Sequence, residues 1–202
     1  MNDYLANFIQ PGGQISSLLS AAALWLGFTV IGGYFTGHGE AREAAPFYGW
    51  AAVNFVFTLT GVFFNGAFPA LALAAGILAA VLAVIYVRQN GARLQPGVFR
   101  VFILASPLIL LVSAMVGSQW DEFSDWLISP RLMLETGSFP DRNDMHRGGT
   151  LAAYPYGWHY ITYLPSLLLG RLVENAGALV NVFMLLTFAL TSVRLLLAGA
   201  GR

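Results

Sequence analysis

The chain has 202 residues, of which 57% are hydrophobic and only 10% charged, a composition suited to a bilayer and not to a water-soluble domain. Ten acidic residues balance ten basic ones, so no broad basic field exists to attract nucleic acid. The absence of cysteine excludes disulfides, thiolate metal sites and a cysteine nucleophile. Every basic residue is arginine, and missing lysine beside abundant Ala, Gly and Leu points to GC-rich coding and a bacterial source.

A hydrocarbon core of about 30 Å requires roughly 20 helical residues, and about six stretches approach that length. Met1 to Gln10 lacks a positive n-region, so the first span, about 15–34, is expected to remain as an anchor. The polar segment Thr36 to Ala45 brings the chain into water. Spans at about 47–64 and 68–87 follow, joined at the Asn65-Gly66 turn as a tight helical hairpin. The arginine-bearing segment Arg88 to Arg100 precedes a fourth span, about 101–117, in which Pro107 should introduce a kink. A polar loop, 119–154, separates it from a fifth span at about 156–173 and a sixth at about 178–197. The aromatic cluster Tyr154, Tyr156, Trp158, Tyr160 and Tyr163 at the start of the fifth span suits the headgroup layer.

The predicted fold is therefore all-α: a single transmembrane domain over residues 1–202, a polytopic helical bundle with an extracytoplasmic loop that contains a surface-lying helix. Arg88, Arg93 and Arg100 assign their connection to the cytoplasm, which puts the 119–154 loop outside. Arg42 and Arg171 fall on the cytoplasmic side of this six-span arrangement, and the N-terminus lies outside. Lipid-facing backbone must satisfy its own hydrogen bonds, so the spans are helices. Gly27, Gly32, Ala72, Ala75 and Ala79 are small enough for close helix contacts, and Asn54 and Asn181 should hydrogen-bond across the bundle.

The polar loop is where chemistry is expected. Trp120-Asp121-Glu122-Phe123-Ser124-Asp125-Trp126 places three carboxylates within five positions at the membrane surface. In a helix over 121–134, Asp121 and Asp125 share a face, while Phe123, Trp126, Leu127 and Leu134 form an apolar face able to rest on the bilayer. Clustered, partly desolvated carboxylates can act as a general base or hold a divalent cation. Farther on, Arg142 and Arg147 could grip a lipid phosphate or pair internally with Asp141 and Asp144. His146 and His159 match no zinc spacing, and no serine-hydrolase elbow is present.

Together, Trp120 to Trp126, Leu134 to Asp141 and Tyr154-Pro155-Tyr156-Gly157 resemble the first catalytic loop of polytopic membrane glycosyltransferases of the GT-C superfamily, in particular bacterial relatives of the protein mannosyltransferases. The resemblance covers about Gln119 to Leu169. Asp125 stands where that pattern has histidine, Tyr156 where it has a second proline, and GT-C enzymes are generally much longer. The resemblance implies sugar transfer from a polyprenyl-phosphate donor to an acceptor hydroxyl outside the cytoplasm, in a bacterial inner membrane. Asp121 would be the base, Glu122 its assistant or the ligand of a divalent cation, and Arg142 or Arg147 the stabiliser of the leaving phosphate. Tyr154 and Trp158 would line the substrate passage. A non-catalytic subunit of a larger membrane complex is the alternative.

Overall fold

A computed structural model describes residues 11–36, 43–90, 98–117, 126–140 and 157–200. In these the chain forms α1 (Gln14–Thr36), α2 (Ala45–Phe63), α3 (Phe68–Asn90), α4 (Val98–Leu104), α5 (Ser106–Ala114), α6 (Ile128–Thr136), α7 (Gly157–Leu169) and α8 (Ala176–Ala200). Four of them are long and apolar enough to cross a membrane: Gln14–Thr36, Ala45–Phe63, Phe68–Gln89 and Ala176–Gly199. This is the helix set of a membrane protein. Leu73, Ile77, Leu78, Val81 and Val84 of α3 are all exposed, an apolar face more continuous than a water-soluble surface carries.

The other two expected spans take a different form. Pro107 has no N–H to donate and its ring crowds the carbonyl four residues back, so the helix divides at Ala105 into α4 and α5. Ala105 keeps a right-handed helical backbone, with its N–H bonded to the Val101 oxygen (3.0 Å) and its carbonyl to the Ile109 N–H (2.9 Å). The expected fifth span is 13 residues long, carries Pro165 within it, and stops ahead of Gly170, whose φ of 63° is left-handed.

Helix α1 is central, packing against α2, α3, α5, α7 and α8. Its tightest neighbour is α2, and the reason is glycine: a Cβ on Gly32 would run into the Ala45 carbonyl oxygen, and one on Gly49 into the Phe28 carbonyl. The expected close approach at Gly32 is therefore present, with Gly49 as its unforeseen counterpart. Gly27 makes an ordinary contact with Ala79 of α3, 3.8 Å from where its Cβ would stand. On the opposite face of α1, Trp25 packs on Phe102 (5.1 Å between ring centroids), which packs on Phe183 (5.3 Å), and Trp25 Nε1 donates to Thr187 Oγ1 at 3.2 Å.

These contacts define two ends of the bundle. One holds the start of α1 and the end of α5, where Gln14 Nε2 donates to the Leu110 oxygen at 2.7 Å. The turn after α7 also lies there: Arg171 Nη2 donates to Ser16 Oγ at 3.1 Å, and Asn175 Nδ2 donates to the carbonyls of Val112 (3.3 Å) and Ser113 (2.6 Å). At the other end, buried Glu43 just before α2 pairs with Arg194 near the close of α8. Arg171 thus sits at the end opposite to the one expected from six alternating spans. Both the close of α6, bonded to Phe68, and the close of α7, ahead of Arg171, lie toward the Gln14 end.

Candidate functional site

The first turn of α7 meets α2 along a stripe of residues spaced four apart, Trp50, Asn54 and Thr58, which one helix face presents together. Trp50 Nε1 donates to the Gly157 oxygen at 3.4 Å, and its ring lies 5.9 Å from that of Trp158. Gly157 has no room for a side chain, because a Cβ there would stand 2.7 Å from Asn54 Nδ2. Thr58 Oγ1 donates to Asn54 Oδ1 and shares a hydrogen bond with the Tyr160 hydroxyl, both at 3.4 Å. The Asn54 bond is thus made within α2, to Thr58, and toward α7 its side chain only lies against Gly157. The signal the sequence offered, the full polar stripe from Trp50 to Thr58, went unread.

Helix α6 closes this band from the other side. Trp126, just ahead of it, stacks on His159 with centroids 5.7 Å apart and planes at 21°. Beyond its end, Phe139 wedges against Phe68 (4.9 Å, 85°) in the space that Gly61 leaves open on α2. Gly137, left-handed with φ of 67°, caps α6 by donating to the Met133 oxygen (2.9 Å) and accepts from the Phe68 N–H (3.0 Å) that begins α3.

Two expectations are corrected here. The helix expected over 121–134 is described from Ile128 onward, and its apolar residues face the protein: Leu127, Leu132 and Met133 are buried, where a surface-lying helix would turn them to lipid. Trp126, expected on that apolar face, is exposed, with its ring stacked on His159. Tyr160 and Tyr163, expected in the headgroup layer, are 1% and 0% exposed and pack against Phe57 and Phe68. An aromatic ring fills a helix crossing as readily as it seats itself at an interface.

Of the residues assigned chemical roles, Trp158 is described and is partly exposed beside Trp50. Asp121, Glu122, Arg142, Arg147 and Tyr154 lie outside the described residues. Among the described residues no group of three or more His, Asp or Glu side chains could hold a metal ion. Tyr163 adds one feature, a wholly buried hydroxyl with no hydrogen-bond partner among the described residues.

A second concave region, missed by sequence reasoning, lies between α1, α3 and α7. It is an apolar crevice of about 640 Å³, with Gly27 and Phe28 on one wall, Ala72 and Gly76 on another, and Leu164 and Leu168 on the third. Small residues at i, i+4 on α3, Ala72, Gly76 and Ala80, line the crevice and leave its volume unfilled.

No protein-family model, curated protein or solved structure matches this chain. The class defined by fold and site is that of an all-helical protein with four membrane-spanning-length helices and a polar, aromatic band beside a crevice.

Proposed function

We propose that the chain is an integral membrane protein acting on a lipid-linked substrate: a glycosyltransferase-like enzyme that moves a sugar from a polyprenyl-phosphate donor to an acceptor hydroxyl outside the cytoplasm of a bacterial inner membrane. The observation that supports this best is the anchoring of the loop's flanks. Trp126 follows directly on the acidic segment and stacks on His159, and Phe139 precedes the Arg142 to Arg147 segment and is wedged against Phe68. A reactive carboxylate gains from such anchoring, since a general base must be held within hydrogen-bond reach of its proton.

In this reading Asp121 removes the acceptor's proton as its oxygen attacks the anomeric carbon, the bond to the donor phosphate breaks, and the charge left on that phosphate is met by Arg142 or Arg147. Glu122 assists, alone or with a divalent cation, and Tyr154 and Trp158 border the substrate's path. The chain crosses the bilayer five times, through α1, α2, α3, the α4–α5 pair and α8, and α7 ends on the Gln14 side. Arg88, Arg100 and Arg194 then gather at the Glu43 end, which is cytoplasmic by their excess. The 119–154 loop opens outside.

Turnover of a polyprenyl-phosphate sugar by purified protein in liposomes, with and without divalent cation, tests the reading. Transfer supports it; absence of both donor binding and transfer overturns it. The competing reading, a non-catalytic subunit of a larger membrane complex, draws support from α3. One side of α3 packs on α1 and α2, while Leu73, Ile77, Leu78, Val81 and Val84 stay exposed and leave an apolar face for another protein.

A further inference from the structure

We propose that the crevice between α1, α3 and α7 retains one acyl chain of an anionic phospholipid, whose phosphate is held at the crevice mouth by Arg171 with Ser16. The inference stands apart from the sugar-transfer reading and needs none of its residues.

Shape is the first ground. The crevice extends from Ser20 to Ile31 along α1 and from Pro69 to Ala80 along α3. At about 1.5 Å of rise per residue this is roughly 16 Å, close to the depth of one leaflet, half of a hydrocarbon core of about 30 Å. Its 640 Å³ falls within the range of about 300–1,000 Å³ typical of sites that enclose small ligands. A chain one leaflet deep fits it, whereas a long isoprenoid would overrun it.

Charge is the second ground. Leu167 and Leu168 line the α7 wall, and Arg171 follows within a turn. On α1, Ser20 lines the crevice and Ser16 stands one turn nearer the membrane surface. Arg171 Nη2 donates to Ser16 Oγ at 3.1 Å, which holds the guanidinium one helical turn beyond the crevice-lining Ser20, on the same face of α1. A guanidinium carries five N–H donors in a planar fork suited to phosphate oxygens, and that of Arg171 makes a single hydrogen bond among the described residues. A cation above an apolar slot is complementary to a phosphate above an acyl chain.

Native mass spectrometry of the whole protein, released from nanodiscs holding equal phosphatidylglycerol and phosphatidylcholine of the same chains, tests the proposal. The wild type should retain one phosphatidylglycerol in preference to phosphatidylcholine by roughly tenfold or more, the scale of one charge-assisted hydrogen bond. Arg171→Gln should remove the preference while a chain still binds, and Arg171→Lys should keep part of it. Gly76→Phe enters open space, since nothing lies within 4 Å of its Cβ position, and should expel both lipids from an intact fold. Arg88→Gln, at the far end, should change nothing. Equal retention of the two lipids, or a preference that survives both Arg171→Gln and Gly76→Phe, overturns the proposal. So does displacement of phosphatidylglycerol by equimolar polyprenyl phosphate.

Discussion

Arg171 and Ser16, joined by a 3.1 Å hydrogen bond, bring the turn after α7 to the first turn of α1, at the end of the bundle opposite the Glu43–Arg194 pair. Helices α1 and α8 both begin at that end, and the described residues start and finish at opposite ends of the bundle.

This gives a direct labelling test in a cysteine-free protein. Gly12 and Gly199 both face open space, so cysteine at either should be tolerated. Gly12→Cys and Ser138→Cys should react with an impermeant thiol reagent in intact cells, and Gly199→Cys only after lysis. Reaction of Gly12→Cys and Gly199→Cys from the same side would restore an even number of crossings.

The α1–α2 crossing should be intolerant of any side chain at its centre. Gly32→Leu and Gly49→Leu meet backbone atoms of the partner helix, which cannot swing aside, and each should cost about 1–3 kcal/mol or more by overpacking. Gly27→Ala, with only a 3.8 Å contact to Ala79, should be nearly neutral. Thermal melts in detergent measure the difference; equal melting temperatures for Gly27→Ala and Gly32→Leu would contradict the packing.

Arg194→Gln should destabilise more than Glu43→Gln. Glu43's side chain is 2% exposed and Arg194's 45%, so loss of the arginine strands a carboxylate in a dry site, whereas loss of the acid leaves a cation partly in solvent. Breaking a wholly buried pair costs about 3–5 kcal/mol, and the solvent around Arg194 brings the expected loss below that. The double variant should recover part of it, read by the same melts.

Asp121→Asn should reduce sugar transfer by about a hundredfold to ten-thousandfold while leaving the protein folded in the membrane, because the amide keeps the size but cannot accept the proton. Arg147→Ala should be milder if Arg142 still meets the donor phosphate, with Glu122→Gln between them unless a metal is required. Full activity in Asp121→Asn would show that another group is the base.

Hydropathy made four helices legible almost to the residue: Gln14–Thr36 against 15–34, Ala45–Phe63 against 47–64, Phe68–Asn90 against 68–87, and Ala176–Ala200 against 178–197. The Asn65-Gly66 turn was equally plain, with Gly66 at φ of 75°. The break expected at Pro107 is present between α4 and α5, whereas a window of summed apolar residues does not show that α7 closes ahead of left-handed Gly170 or which way it points. The direction of α7 is encoded in distant partners, Arg171 with Ser16 and Asn175 with the end of α5, that no local pattern pairs. Similarly, Leu127 reads as part of a lipid-facing stripe, yet it is buried inside the protein.

The Glu43–Arg194 pair also constrains how the protein is made. The carboxylate leaves the ribosome with the first hairpin, and its counter-charge arrives only with the last helix, so through most of synthesis the α1–α2 turn carries an acid it cannot yet bury. Docking of α8 is therefore the step that supplies the counter-charge and lets the carboxylate be buried as a pair.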